Sequence, residues 1–73
     1  MFLSELRDNQ SGVISSLNFD AAFARRLSDM GFCRGERVTR ARAAVFGSPI
    51  LYEAKGSAVA LRKCDASRIE VTV

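Results

Sequence analysis

The feature that most constrains this chain is a run of twelve residues, 27 to 38, in which a helix ends, the chain turns and a strand begins. Before the turn, apolar residues have the spacing of one helix face, at Phe19, Phe23, Leu27 and Met30. Gly31 follows directly, and glycine readily adopts the left-handed conformation that ends a helix. Asn18 or Asp20 can cap the first amide groups. We predict an amphipathic helix over residues 20–30 whose apolar stripe faces the core; docking of a partner helix is the alternative.

Strand character fills most of the remaining chain, in segments 12–17, 36–45, 50–54, 57–61 and 68–73. Two of these segments break strict alternation. In the first, Ile14 and Leu17 fall on opposite faces, and in the second Val38 shares its face with two arginines. We therefore expect a bulge or a bend in both strands. The pair Lys55–Gly56 predicts a tight hairpin between the third and fourth segments.

Turn residues separate these segments and favour a barrel. Segments 3–6 and 63–67 are predicted to form single helical turns. The structural turn residues are Gly31, Gly35, Gly47, Pro49 and Gly56. The pattern predicts a mainly-β fold, a small SH3-like barrel of about five strands with one amphipathic helix. A strand pair flanked by helices is the alternative, but it would leave strand-prone segments without partners.

Size and composition indicate one domain spanning residues 1–73. Hydrophobic residues make up 48% of the chain, yet no run approaches the ~18 apolar residues that a membrane span requires. The first eight residues offer neither a basic leader nor a secretory apolar stretch. We expect a cytoplasmic protein that does not insert into the membrane.

The chain lacks the residue types on which most catalytic and metal sites depend. It has no histidine, and its two cysteines, Cys33 and Cys64, lie far apart in sequence and are expected to be free thiols. A zinc site cannot be assembled from one chain, although a metal shared between subunits is an alternative. No base for a serine or cysteine nucleophile is apparent, and the glycine spacing makes no phosphate-binding loop. We therefore expect no enzyme activity, no metal site and no cofactor.

Positive charge is concentrated in one segment of a chain whose net charge is +3, at Arg34, Arg37, Arg40 and Arg42. Such a stripe can meet an acidic protein surface, phosphates or an anionic membrane. The alternative is a solvated strand face, partly neutralised by Glu36, Glu53 and Glu70. Nucleic acid is disfavoured because few aromatic platforms, Phe46 and Tyr52, lie near the stripe.

Short motifs over nearly the whole chain, in a fixed order, resemble a known family. The motifs are Leu3-Ser4-Glu5-Leu6, Gly12-Val13-Ile14, the run from Leu27 to Val38, Gly47-Ser48-Pro49-Ile50, Ala60-Leu61-Arg62, and then Ala66, Ile69 and Val71. Together they resemble the FeoA family, the small cytosolic A component of the bacterial ferrous iron transport system. The chain departs from the family pattern at Arg34 and Val45, where proline is common, and at Ser48, where aspartate is usual.

The resemblance implies a non-catalytic SH3-like barrel that acts on the large membrane-bound B component, FeoB, which carries a cytosolic G-protein domain. Similar domains also form the C-terminal part of iron- and manganese-dependent repressors. Two hypotheses follow: an accessory protein docked on the transporter, or a detached regulatory or weakly nucleic-acid-binding barrel. The chain begins with Met1 and has no segment for a helix-turn-helix, which favours the first.

Exposed arginine and aromatic side chains dominate binding energies when they are desolvated. On that basis we predict a docking surface that includes Phe32, Arg34, Arg40, Arg42 and Phe46. For the two phenylalanines, packing in the core or a loop is an equal alternative. The sequence leaves the oligomeric state open, and a homo-oligomer is compatible with it.

Overall fold

A computed structural model describes residues 1–43 and 49–73, in which five strands and two α-helices follow a 3₁₀ turn at Leu3–Glu5. The elements are β1 Ser11–Leu17, α1 Ala21–Asp29, β2 Arg37–Ala43, β3 Ile50–Ala54, β4 Ser57–Leu61, α2 Lys63–Ala66 and β5 Ile69–Thr72. This order confirms the predicted mainly-β class with one amphipathic helix. Of the predicted turn residues, Gly47 lies outside the described ranges.

The five strands form one antiparallel sheet in the order β4-β3-β2-β1-β5. The first two residues lie along the outer side of β5, because Phe2 bridges Glu70 and the Val71 amide donates to the Met1 carbonyl over 2.7 Å. The other edge of the sheet is β4. Five paired strands rule out the alternative of one strand pair flanked by helices.

Bulges resolve the two breaks in alternation, as the sequence predicts. In β1 the register shifts between Ile14 and Ser16. Ile14 therefore pairs with Val71 and Leu17 with Ile69, so both side chains reach the core side despite their odd spacing. In β2 the register shifts between residues 40 and 42.

The core lies between the sheet, α1 and the helical turns at the two ends of the chain. Its members are at most 5% exposed and are all apolar or aromatic: Leu3, Leu6, Ile14, Leu27, Phe32, Val38, Ile50, Tyr52, Ala54, Leu61, Ala66, Ile69 and Val71. Tyr52 brings a hydroxyl group into this core and donates a hydrogen bond to the Leu3 carbonyl over 3.2 Å. The N-terminal turn is thereby fixed onto β3.

Both ends of α1 follow the sequence signals. The Asp20 side chain accepts a hydrogen bond from the Phe23 amide over 2.8 Å at the N-terminus. Gly31 ends the helix with φ +91°. Leu27 is buried and Phe23 packs partly against the core, which confirms that the apolar stripe faces inward. Met30, by contrast, is 38% exposed.

Candidate functional site

Backbone hydrogen bonds hold the turn between α1 and β2 against β1 on one side and against the end of α1 on the other. The Gly35 amide donates to the Ile14 carbonyl over 2.8 Å, and the Ile14 amide donates to the Glu36 carbonyl over 2.9 Å. The Phe32 amide donates to the Leu27 carbonyl over 2.8 Å, which folds the turn back onto the helix end. These hydrogen bonds fix the backbone that carries Arg34.

The same turn lies against the tip of the β3–β4 hairpin. Lys55 and Gly56 both have positive φ angles, 51° and 76°, as a two-residue hairpin turn with the twist of its strands requires. The Lys55 ammonium pairs with the Glu36 carboxylate at 3.0 Å. Hydrogen bonding to that carboxylate, and then its charge, raise the pKa of Lys55 above its ordinary value. The ion pair joins the turn to the hairpin.

Four exposed side chains define what we call the turn surface: Met30, Arg34, Arg37 and Lys55. Arg37 and Lys55 line a shallow groove of about 340 Å³, whose other lining residues are Thr39, Glu53, Ala54 and Gly56. In the described part of the chain, no ion pair engages Arg34 or Arg37. The turn surface thus combines an apolar thioether with two guanidinium groups available to a partner.

The structure separates the five predicted docking residues. Phe32 is fully buried, so the packing alternative holds for it and we remove it from the docking surface. Arg34 is exposed at the turn. Arg42 has its backbone in β2, but its side chain is outside the described set, as is all of Phe46.

Arg40 is engaged within the fold. Its Nη1 donates to the Leu6 carbonyl over 2.6 Å and its Nε to Asp8 Oδ1 over 3.1 Å. The side chain is 19% exposed. Arg40 therefore fastens β2 to the N-terminal segment, and its proposed contribution to docking is not supported by this geometry.

The glutamates do not neutralise the arginine stripe in the expected way. Glu36 pairs with Lys55, and neither Glu53 nor Glu70 forms an ion pair within residues 1–43 and 49–73. The acidic residue that pairs with the arginine stripe is Asp8, through its contact with Arg40. Sequence patterns gave no signal for it, because the position of the N-terminal turn depends on packing around Leu3 and Leu6.

A second groove, of about 400 Å³, lies where α1 begins and α2 meets β5. We call it the aromatic groove; it is lined by Phe19, Asp20, Phe23, Arg62, Asp65 and Arg68. The two rings meet edge to face with centroids 4.6 Å apart, and the Arg68 guanidinium lies 5.5 Å from the Phe19 centroid. Its two arginines and two aspartates cancel in charge. No local sequence pattern signals this groove, because its residues come from three separate segments.

The described ranges contain neither a candidate metal cluster nor a helix that could span a membrane. No cluster of three or more histidine, cysteine, aspartate or glutamate side chains occurs there. Cys33 is partly buried and Cys64 is exposed, and both are free thiols. No helix in those ranges has the length and apolar character needed to cross a bilayer.

A family model described as the FeoA domain matches residues 1–73. The chain belongs to the FeoA family. Relatives in this family are named Fe(2+) transport protein A and iron(II) transport protein A, which links the family to ferrous iron transport. The resemblance inferred from the order of the short motifs is therefore confirmed.

A curated relative links this family to the transporter itself. The chain is 35% identical over 71 residues to the Fe(2+) transport protein A/Fe(2+) transporter FeoB fusion protein of Porphyromonas gingivalis. The match covers 97% of this chain and 8% of the fusion protein, so this chain corresponds to a small part of that polypeptide.

Solved structures confirm the SH3-like FeoA fold. The FeoA protein of Chlorobium tepidum has a TM-score of 0.94 at 33% identity, covering all of this chain and 70% of that one. Stenotrophomonas maltophilia FeoA, solved with zinc and described as an SH3 domain protein, has a TM-score of 0.82 at 37% identity, covering 97% and 88%. A manganese-dependent transcriptional repressor shares the fold alone, with a TM-score of 0.80 at 22% identity over 99% of this chain and 40% of that one.

Proposed function

We propose that this FeoA-family chain is a non-catalytic accessory protein of ferrous iron uptake that docks on the cytosolic G-protein domain of an FeoB-type transporter. The observation that carries the proposal is the relative in which an FeoA domain and FeoB form one polypeptide. Joining two domains in one chain raises the effective concentration of one for the other. This supports a direct contact, which we place on the cytoplasmic side of the membrane.

The docking surface of this proposal is the turn surface. Its exposed arginines and methionine are residue types that are enriched at protein interfaces. The backbone below Arg34 is already fixed by hydrogen bonds to β1, so little conformational entropy is lost when a partner binds. The cations fit an acidic patch on the partner. Arg42 and Phe46 remain predicted docking residues, separate from the four residues that define the turn surface.

Replacing Arg34 tests the docking surface. We expect Arg34→Glu to weaken binding to the isolated cytosolic domain of the transporter at least about tenfold, because an attractive charge becomes repulsive. Isothermal titration calorimetry measures the dissociation constant. Arg7→Glu is the matched control: it makes the same charge change at another exposed position, in the N-terminal segment that hydrogen-bonds to Arg40 and contributes no residue to the turn surface.

The control variant is expected to bind within about twofold of wild type. Equal loss of affinity in both variants would show that net charge, and not the turn surface, governs binding. Unchanged affinity in Arg34→Glu would remove the turn surface from the proposal.

A second candidate is a regulatory barrel of the kind found in metal-dependent repressors, and it is favoured by the shared fold. Nucleic-acid binding by this chain has little support, because the Tyr52 ring is fully buried and cannot stack on a base. Titration of a fluorescent duplex tests the nucleic-acid-binding form of this second candidate. We expect no saturable binding at about 0.15 M salt, where weak non-specific contacts are screened.

A further inference from the structure

The edge strand β4 presents a regular row of backbone groups. All five of its residues pair with β3 in register, with no bulge, from Ser57 against Ala54 to Leu61 against Ile50. A two-residue turn makes the pair that flanks it a hydrogen-bonded pair, and hydrogen-bonded and non-hydrogen-bonded pairs then alternate. The amide and carbonyl groups of Ala58 and Ala60 therefore point away from β3, toward the edge.

Nothing in residues 1–43 and 49–73 hydrogen-bonds to this edge through the backbone. The opposite edge, β5, is covered by Met1 and Phe2. Natural proteins usually protect an edge with a charged side chain, a proline or a bulge within the strand. Residues 57–61 contain none of these. The β4 edge is thus open to another strand.

We propose that the β4 edge binds the β4 edge of a second copy of this chain. The two strands run antiparallel about a two-fold axis through Val59, so that Ala58 lies opposite Ala60 of the second copy. The two alanine pairs then exchange four hydrogen bonds, and every outward backbone group of Ala58 and Ala60 is satisfied. The sheet continues across the dimer as ten strands, twice the five of one chain.

A second copy fits better than an unrelated strand because the sequence reads the same in both directions from Val59, as Ala-Val-Ala. The small side chains of Ala58 and Ala60 let the backbones of the two β4 strands approach each other closely. Lys55 and Arg62 flank the strand, and each is already paired within its own chain, with Glu36 at 3.0 Å and with Asp65 at 3.4 Å. One pair of short strands buries little surface, so the dimer is predicted to be weak.

The first test measures association against concentration. Sedimentation velocity between about 10 µM and 1 mM is expected to show a rising dimer fraction for wild type, as small interfaces give weak complexes. Ala58→Pro removes an outward amide and leaves the ladder to β3 intact, so this variant is expected to stay monomeric. The matched control, Ala21→Pro, places proline at the first residue of α1, where it is tolerated, and is expected to behave as wild type.

The second test measures register by disulfide formation in a Cys33→Ser, Cys64→Ser background. Val59 and its symmetry mate form a non-hydrogen-bonded pair with Cα atoms about 4.5 Å apart, within disulfide range. Val59→Cys is therefore expected to cross-link to itself. Ala58 and its mate are offset by two residues, about 8 Å, beyond that range, so Ala58→Cys is the matched control and should not cross-link.

Cross-linking of Val59→Cys with a dimer that Ala58→Pro abolishes would establish the proposal. A monomer at all concentrations, or equal cross-linking of the two cysteine variants, would overturn it. Cross-linking of Val59→Cys to the transporter domain, and not to itself, would also overturn it and assign the edge to that partner. None of these outcomes depends on the Arg34→Glu result, so failure of this proposal and failure of the docking proposal are distinguishable.

Discussion

Tyr52 is a titratable group inside an otherwise apolar core. Burial raises the pKa of its hydroxyl from 10.0 to about 12, and the nearby Arg40 charge opposes that shift only in part. The unfolded chain therefore loses this proton near pH 10 while the folded chain keeps it until about pH 12. Between these values the unfolded state binds fewer protons, so the free energy of unfolding falls as pH rises.

We expect Tyr52 to account for a loss on the order of 2 kcal/mol in unfolding free energy between pH 10 and pH 12. Tyr52→Phe should abolish this part of the loss, at a cost of about 1 kcal/mol at pH 7 because the hydrogen bond to the Leu3 carbonyl is removed. Urea unfolding at a series of pH values measures both the loss at high pH and the cost of the substitution at pH 7. Lys55 titrates in both proteins, so the difference between them isolates Tyr52. A constant difference from pH 8 to pH 12 would contradict this account.

Arg40 illustrates a cation with a structural role. Arg40→Met keeps most of the aliphatic stem but removes the donors to Leu6 and Asp8, and we expect it to lower the unfolding free energy by about 1–3 kcal/mol. Arg37→Met, at an exposed position of the same strand, is expected to change it by less than about 0.5 kcal/mol. Chemical denaturation compares the two. Equal losses would show that Arg40 has no special role in stability.

At the scale of elements, the ends of helices and strands decide the packing. Gly31 ends α1 with φ +91°, and a Cβ atom there would lie 3.4 Å from the Ala54 carbonyl oxygen and 3.3 Å from the Lys55 Cβ. Gly35 has a similar φ of +90°, but a Cβ atom there would meet open space. Comparing alanine substitutions at the two glycines therefore separates the cost of backbone strain from the cost of steric contact.

We expect Gly35→Ala to cost about 1–2 kcal/mol, which is the strain of a left-handed conformation alone. Gly31→Ala should cost more, because the hairpin tip must also shift. Thermal or urea unfolding of the two variants gives the comparison. A smaller loss for Gly31→Ala than for Gly35→Ala would contradict the close packing of the turn against the hairpin.

Sequence patterns predicted these elements because the relevant signals are local. A glycine after an apolar stripe ends the helix, and the opposed faces of Ile14 and Leu17 require a bulge. Tertiary placement was not predictable in the same way. Arg40 and Asp8 lie 32 residues apart, so their contact depends on the assembled barrel. Phe32 is an aromatic residue beside a turn, and it is buried because that turn packs against the end of α1. The local sequence does not show this packing.

At the scale of the whole molecule, the turn surface and the aromatic groove are two separate candidates for contact with a partner. The turn surface carries exposed cations on a fixed backbone, whereas the charges of the aromatic groove cancel among its own residues. Long-range attraction to an acidic partner therefore favours the turn surface. The chain contributes shape and charge to such a complex, and we expect it to catalyse no reaction alone.

The most direct measurement of this account is an NMR titration of the ¹⁵N-labelled chain with the unlabelled cytosolic domain of an FeoB-type transporter. We expect amide shift changes and line broadening to concentrate at residues 30–37 and 55–56, which carry the turn surface. Changes that concentrate around Phe19, Phe23 and Arg68 in the aromatic groove, or no changes at saturating concentrations of the domain, would contradict it.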